Sequence, residues 1–569
     1  MCVNRGENRC TDGDAERSRP SPATPAYARW AQRDNRRQRS GQRAIARRAL
    51  NRYVLLSARC CHRQYSARGR TVVGRLGRKA AVSGAVAVVV VLSGVVPAVA
   101  AAATTTVVSY APDGSNADNS SFNPSISADG RYVAFESRAS NLVAGDTNDN
   151  WDVFRRDLAT GDIVRVSVAD DETQANLSSY QPSISADGRY VAFYSIATNL
   201  VGGDDTNSTT DVFVRDLTAG TTVRVSVADD ETQATGDSYY PSISADGRYV
   251  AFESYASNLV GSDDTNGNPD VFVRDLTDGT TVRVSVADNE DQADGNSFNP
   301  SISADGQRVA FQSDATNLVG SDDTNGNPDV FVRDLTDGTT TRVSVDSAEA
   351  QALGSDSFNP SISADGLFVA FYSFAPNLVT GDTNVSSDVF LRDLTAGTTV
   401  RVSVADDETE ANGYSFNPSI SANGRYVAFS SEASNLVADD TNSRSDVFVR
   451  DLTEGTTTRV SVNALGVEGN FVSLLPSISA DGQRVAFQSA ATNLTTVTNP
   501  PADTCETFDW DAPVFADDSN CKSDVFVYGP VVELPATGAN TNGFVATAIV
   551  FLATGAVLVA TRRRRPVSV

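Results

Sequence analysis

Pro124-Ser125-Ile126-Ser127-Ala128-Asp129-Gly130-Arg131-Tyr132-Val133-Ala134-Phe135-Glu136-Ser137 decides how this chain folds, because variants of this stretch occur seven times. The P-S-I-S-A-(D/N)-G phrase returns with its proline at Pro124, Pro182, Pro241, Pro300, Pro360, Pro418 and Pro476, in steps of 58 to 60 residues. So long and regular a period belongs to an array or a propeller made from one repeated supersecondary unit. Each copy continues in the same order, through R-Y-V-A-F-x-S, N-L-V, D-T-N and D-V-F-V-R-D-L to T-T-V-R-V-S-V.

Each unit reads as four short antiparallel strands. Strand A contains Ser125-Ile126-Ser127, and Asp129-Gly130 is a hairpin signal because both residues tolerate positive φ. Strand B is Tyr132 to Phe135, strand C Val212 to Val214, and strand D, after the Ala219-Gly220 turn, Val223 to Val227. In strand B, Val133 and Phe135 lie on one face and Tyr132 and Ala134 on the other, so both faces are apolar. A sheet with one wet face has no need of that, whereas a blade packed between two neighbours does. The last repeat stops after Asp524-Val525-Phe526-Val527-Tyr528 without a strand D, and Thr104 to Ala111 aligns with Thr221 to Ala228. The expected fold is an all-β, seven-bladed β-propeller over residues 104–530, with the N-terminal strand completing blade seven and removing the free edge.

The S-A-D-G-R-Y-V-A-F-x-S and D-V-F-V-R-D-L phrases resemble the WD-like propeller repeat of TolB-type proteins, over roughly three quarters of the chain. The resemblance implies the fold and leaves the activity open, since such propellers carry many functions. TolB-type proteins also have an N-terminal domain that has no counterpart here, and this chain ends in a different kind of anchor.

Within residues 531–569, Leu534-Pro535-Ala536-Thr537-Gly538 is followed by an uncharged stretch from Gly543 to Thr561 and then by Arg562 to Arg565. Nineteen apolar residues suffice to span a bilayer, and the arginines hold the end inside. The ordered trio resembles the sortase sorting signal of Gram-positive surface proteins. It implies cleavage between Thr537 and Gly538, transfer of the Thr537 carbonyl to a peptidoglycan amine, and membrane contact only through this segment. Without sorting, the same residues are a plain membrane anchor. At the other end, within residues 71–103, Arg75, Arg78 and Lys79 precede an apolar run and then Pro97-Ala98-Val99-Ala100-Ala101, the order of a secretory signal peptide. Residues 1–70 are arginine-rich and aperiodic, and read as a misassigned start or a disordered extension. The expected location is the cell wall of a Gram-positive bacterium.

Residues 104–538 carry 22 basic and 66 acidic residues, a formal charge of −44. Such a surface repels nucleic acid and attracts cations and basic partners, though acidity also serves solubility in secreted proteins. The one histidine is His62, so the secreted part holds no Ser-His-Asp or Cys-His arrangement and no histidine-ligated metal. Its two cysteines, Cys505 and Cys521, read as one disulfide worth about 3 kcal/mol. They staple an insertion of 20 residues in the B–C link of blade seven, which carries Glu506, Asp509, Trp510, Asp511 and Phe515. The insertion is either a binding loop or a tolerated surface excursion, and is the one departure from the repeat that a site could use.

In every blade an Asp is followed two residues on by Asn and six on by Asp. The sets include Asp146/Asn148/Asp152, Asp205/Asn207/Asp211, Asp264/Asn266/Asp270, Asp323/Asn325/Asp329, Asp382/Asn384/Asp388 and Asp440/Asn442/Asp446. Asn150, Asn268 and Asn327 add a fourth oxygen in blades one, three and four. Alternating oxygen ligands suit calcium, the only cofactor the sequence suggests. An architectural reading competes: Asx turns close the B–C link, and the last Asp pairs with an arginine such as Arg215 or Arg274. The tight A–B and C–D turns leave the long polar B–C and D–A links on the opposite rim, where a ligand is expected. The expected function is a non-enzymatic binding or scaffold protein whose partner is a wall polymer or another protein. The alternative is a carbohydrate-active hydrolase or lyase working through carboxylates.

Overall fold

The computed structural model describes residues 103–202, 205–261, 264–320, 323–495 and 522–530. The described residues form 28 strands, β1 (Ala103–Val107) to β28 (Asp524–Pro530), in seven four-stranded sheets. Six blades are four consecutive strands in order, beginning with β2 (Ser121–Ile126), β3 (Tyr132–Ser137), β4 (Asp152–Asp157) and β5 (Ile163–Arg165). The seventh takes β26 (Ser473–Ile478), β27 (Val485–Ser489) and β28 from the C-terminal side and β1 from the N-terminal side. There β1 runs antiparallel to β28, with Ala103 opposite Pro530 and Val107 opposite Phe526. The sevenfold closure expected from the repeats is the one observed.

The repeated phrase is used residue by residue. Ser125 Oγ accepts the Ile184 N–H of the next blade (3.2 Å), and equivalent bonds run around all seven blades, ending with Ser477 accepting from Ile126 (3.0 Å). A second ring joins the Ala that follows: Ala128 N donates to Ala186 O, and so on until Ala480 N donates to Ala128 O. Ser127 donates to Asp129 (2.6 Å) and accepts from the Tyr132 N–H (2.9 Å), which fixes the A–B hairpin. The following glycine is obligatory at Gly188: its φ is +73°, and a Cβ would lie 2.2 Å from the Tyr132 ring of the preceding blade.

Both faces of strand B are buried, as expected. Val133 and Phe135 pack with Phe154 and with Ala486, Val525 and Val527 of blade seven, while Ala134 packs with Val191 and Phe193 of blade two. The fully buried phenylalanine pairs of strands B and C, such as Phe193 and Phe213 at 5.9 Å, supply about 2–3 kcal/mol per ring. The D–A links are less free than the rim picture suggested. Val168 and Gln174 bridge into a hairpin whose turn packs on the next blade, where Asp170 Oδ1 accepts the Thr222 N–H (2.7 Å).

No helix among the described residues is long and apolar enough to cross a membrane. The expected signal peptide (71–103, all but its last residue), the sorting signal Leu534 to Gly538, the 543–561 span and the Cys505–Cys521 insertion lie outside the described residues.

Candidate functional site

The repeated carboxylates are held by arginines from strand D, a partner the sequence pattern did not single out. Arg165 lies 3.2 Å from Asp146 and 3.6 Å from Asp152, and Arg283 lies 3.2 Å from Asp270. Arg342 lies 3.4 Å from Asp329 and 4.0 Å from Asp323. Arg215 and Arg274, named above as candidate partners, instead bind Glu172 and Glu231 of the preceding link. In blades one to six each Asn closes an Asx turn and pins the neighbouring link. Asn148 Oδ1 accepts from Asn150 N (3.0 Å) and its Nδ2 donates to Ala175 O (2.8 Å). Asn266 accepts from Asn268 N (2.7 Å), and Asn325 from Asn327 N (2.7 Å). The final Asp accepts a hydroxyl from strand D, as Asp152 does from Ser167 (2.6 Å). Burial outweighs these bonds, pushing the Asp152, Asp211, Asp388 and Asp446 carboxyls up to about 6.

The fourth group at each cluster varies. In blades three and four Gln292 and Gln351 donate their amides to Asp264 (2.9 Å) and Asp323 (2.7 Å). In blades five and six that position is Glu410 or Glu468, which draws the arginine to 2.6 Å. Carboxylate oxygens of Asp382, Asp388 and Glu410 then lie within 4.8 Å of one another, as do those of Asp440, Asp446 and Glu468.

The insertion of blade seven is not the sole break in symmetry: a second surrounds the propeller axis. The residue before each repeated proline sits at a bulge of strand A with positive φ: Asn123, Gln181, Tyr240, Asn299, Asn359, Asn417 and Leu475, at 47° to 52°. Non-glycine residues adopt this conformation only under constraint, and it recurs at functional sites. Asn299 donates to Asn359 (3.1 Å) and Asn359 to Asn417 (2.8 Å), so these side chains form a collar at the long-link end of strand A. Four are asparagine, while Gln181, Tyr240 and Leu475 differ.

Behind the collar lies the variable x of R-Y-V-A-F-x-S: Glu136, Tyr194, Glu253, Gln312, Tyr372, Ser430 and Gln488. Four of these reach the next blade's collar backbone. Glu136 accepts the Gln181 N–H (2.6 Å), Glu253 that of Asn299 (3.0 Å), Gln312 that of Asn359 (3.2 Å) and Gln488 that of Asn123 (3.1 Å). Burial raises the Glu136 carboxyl to about 7, against the bonds from Gln181 and Asn123, and that of Glu253 to about 8, against the single bond from Asn299. Of the two tyrosines at this position, Tyr372 meets Phe358 and Phe374 in blade five, while Tyr194 joins an arc of rings over blades one to three. Phe122 meets Trp151 at 5.5 Å, Trp151 meets Tyr180 at 6.4 Å, Tyr180 meets Tyr194 at 5.4 Å and Tyr194 meets Tyr239 at 5.3 Å. Tyr240 lies 6.3 Å from Tyr194, and Tyr255, 6.5 Å from Tyr239, is exposed. The signal was in the sequence, at the position the repeat leaves blank.

Residues 527–565 match the LPXTG cell wall anchor motif. The propeller is therefore part of a cell-wall-anchored surface protein, and the motif implies processing by sortase and covalent attachment to peptidoglycan. Among solved structures, the chain is similar to TolB from Acinetobacter baumannii at 18% identity, covering 58% of this chain and 63% of that one, with a TM-score of 0.34. An oligogalacturonate lyase in complex with manganese is 13% identical over 77% of this chain and 94% of that one, with a TM-score of 0.43. The β-propeller domain of the trilobed protease from Pyrococcus furiosus is 10% identical over 65% and 91%, with a TM-score of 0.40. The chain thus spans under two thirds of that TolB. No curated protein sequence matches it.

Proposed function

We propose that this wall-anchored propeller is a non-enzymatic binding protein that takes its ligand at the axial mouth of the long-link rim. The observation that carries this reading is where the symmetry breaks. In blades one to six the repeated aspartates are engaged by an arginine and a hydroxyl from strand D in the same way from blade to blade, which is architecture. Gln181, Tyr240, Leu475 and the aromatic arc are particular to their blades, which is what recognition of an asymmetric ligand requires.

The anchor supports the same orientation. β28 runs from the long-link end of its blade to the tight-turn end, where a Cβ on Gly529 would lie 2.6 Å from Arg484 of the A–B turn. Three residues, Val531 to Glu533, separate Pro530 from Leu534, a reach of about 14 Å at extended-chain spacing. The tether thus starts on the rim opposite the mouth and is short, which favours a wall polymer or a neighbouring surface protein as partner. Binding to purified wall polysaccharide tests this. Tyr240→Ala should weaken it at least tenfold with an unchanged melting temperature, and equal binding by both proteins would remove the axial mouth from consideration.

The second reading, a carbohydrate-active hydrolase or lyase, is favoured by Glu136 and Glu253, whose raised pKa values keep a proton near neutrality as a general acid needs. Release of reducing ends from the polysaccharide, abolished in Glu253→Gln, would select it.

A further inference from the structure

We infer that blades five and six each bind one divalent cation, calcium by its ligand chemistry, at Asp382, Asp388 and Glu410 and at Asp440, Asp446 and Glu468. The argument begins from charge. In blades three and four the cluster is two aspartates, one arginine and one glutamine, and the Gln292 and Gln351 amides cap Asp264 and Asp323. In blades five and six a glutamate replaces that glutamine, so three carboxylates face one guanidinium and the cluster carries −2. A divalent ion brings it to zero, whereas a monovalent ion leaves it charged.

The loss of the amide also uncovers an acceptor. The Asp382 side chain is 6% exposed and that of Asp440 is 2% exposed, yet Oδ1 of each has no hydrogen-bond donor, the Arg459 guanidinium standing 3.8 Å from Asp440 Oδ1 and Arg401 facing the other oxygen of Asp382. A buried carboxylate oxygen without a donor has lost its water with nothing in return, and an ion would supply the missing partner. Blade two also leaves Asp205 Oδ1 without a donor, but there the fourth group is the amide of Gln233, turned to Thr206 (2.6 Å), and no third carboxylate is present. Glu410 and Glu468 are the more open members of their clusters, at 18% and 13%, and give an ion access from solvent. The Thr383 and Thr441 hydroxyls already lie on these glutamates and add neutral oxygens. An all-oxygen set of carboxylates and hydroxyls, completed by water, is what calcium takes. The fourth group selects these blades, and the extra asparagines of blades one, three and four do not: the Asn150 and Asn268 amides donate to Asn176 O (3.3 Å) and Asp294 O (3.3 Å) of the neighbouring link.

Calorimetric titration of calcium chloride into the chelator-treated full chain in detergent is the test, and the ion count is its readout. Two ions should bind per chain, one should be lost in Glu410→Gln, one in Glu468→Gln and both in the double variant. Glutamine is the native residue of blades one to four at this position, so these variants keep the fold, and melting in chelator should match the parent. Asp382→Asn should remove the same ion as Glu410→Gln. No binding, a count that ignores these substitutions, or about one ion for every blade would each overturn the inference.

Discussion

Replacing Glu136 and Glu253 by glutamine should stabilise the propeller at pH 8 and leave it nearly unchanged at pH 5. Both carboxyls are buried, at 6% and 4% exposure, and each accepts a backbone N–H of the next blade. In the unfolded chain they lose their protons near 4.5, whereas in the folded chain they hold them to about 7 and about 8. Between those limits the folded state binds more protons than the unfolded one, so stability falls as pH rises, by about 1.4 kcal/mol per pH unit per site. By pH 8 the cost reaches roughly 3 kcal/mol at Glu136 and 5 kcal/mol at Glu253, a large share of a typical domain's stability. Glutamine keeps the acceptor and removes the ionisation, and the molecule already uses it this way at Gln312 and Gln488. Urea unfolding at pH 5 and pH 8, for the parent, the single variants and the double variant, measures the effect. The buried Asp152, Asp211, Asp388 and Asp446 also titrate across this range, but equally in every variant, so their contribution cancels. The expected result is a gain of several kcal/mol at pH 8 for the double variant and a change within about 1 kcal/mol per site at pH 5. Equal destabilisation at both pH values would refute the reasoning, because it would mean that these groups act as ionised partners.

Gly188→Ala should cost about 2–4 kcal/mol, from the positive φ and the clash with Tyr132, and thermal unfolding beside Gly145→Ala, whose Cβ meets nothing within 4 Å, separates the two terms. At the acid end the sign reverses. Arg189, Arg248 and Arg425 hold Asp216, Asp275 and Asp451 down to about 2, so the stability these pairs give is present above pH 4 and lost as pH falls toward 2. Arg189→Met should flatten that acid limb in a melting series from pH 5 to pH 2. Thr537→Ala should leave the protein extractable from membranes by detergent instead of released with the wall by muramidase, as cell fractionation would show.

Why the fold was legible and the site less so follows from particular residues. Ser125, Ser127, Asp129 and Gly188 act within a hairpin or on a residue of the same repeated phrase in an adjacent blade, so a linear repeat displays their roles. The aspartates of D-x-N-x-x-x-D admitted both an ion and an architectural reading because their neutralising group, Arg165 in blade one, lies on another strand that spacing within the motif cannot reveal. The glutamine-to-glutamate change at Glu410 and Glu468 was hidden for the same reason. The collar escaped notice because Tyr240 and Gln181 become neighbours only when the seven strands A meet around the axis.

The axial mouth as the ligand site is the central claim, and crosslinking on intact cells tests it most directly. A photoreactive residue would be placed at Tyr240, in the collar, and in a second protein at Asp278, in the C–D turn of blade three on the rim where the anchor begins. The account predicts a discrete adduct with a wall polymer or a surface protein from position 240 and none from position 278. Adducts from position 278 alone, or from neither position, would contradict it.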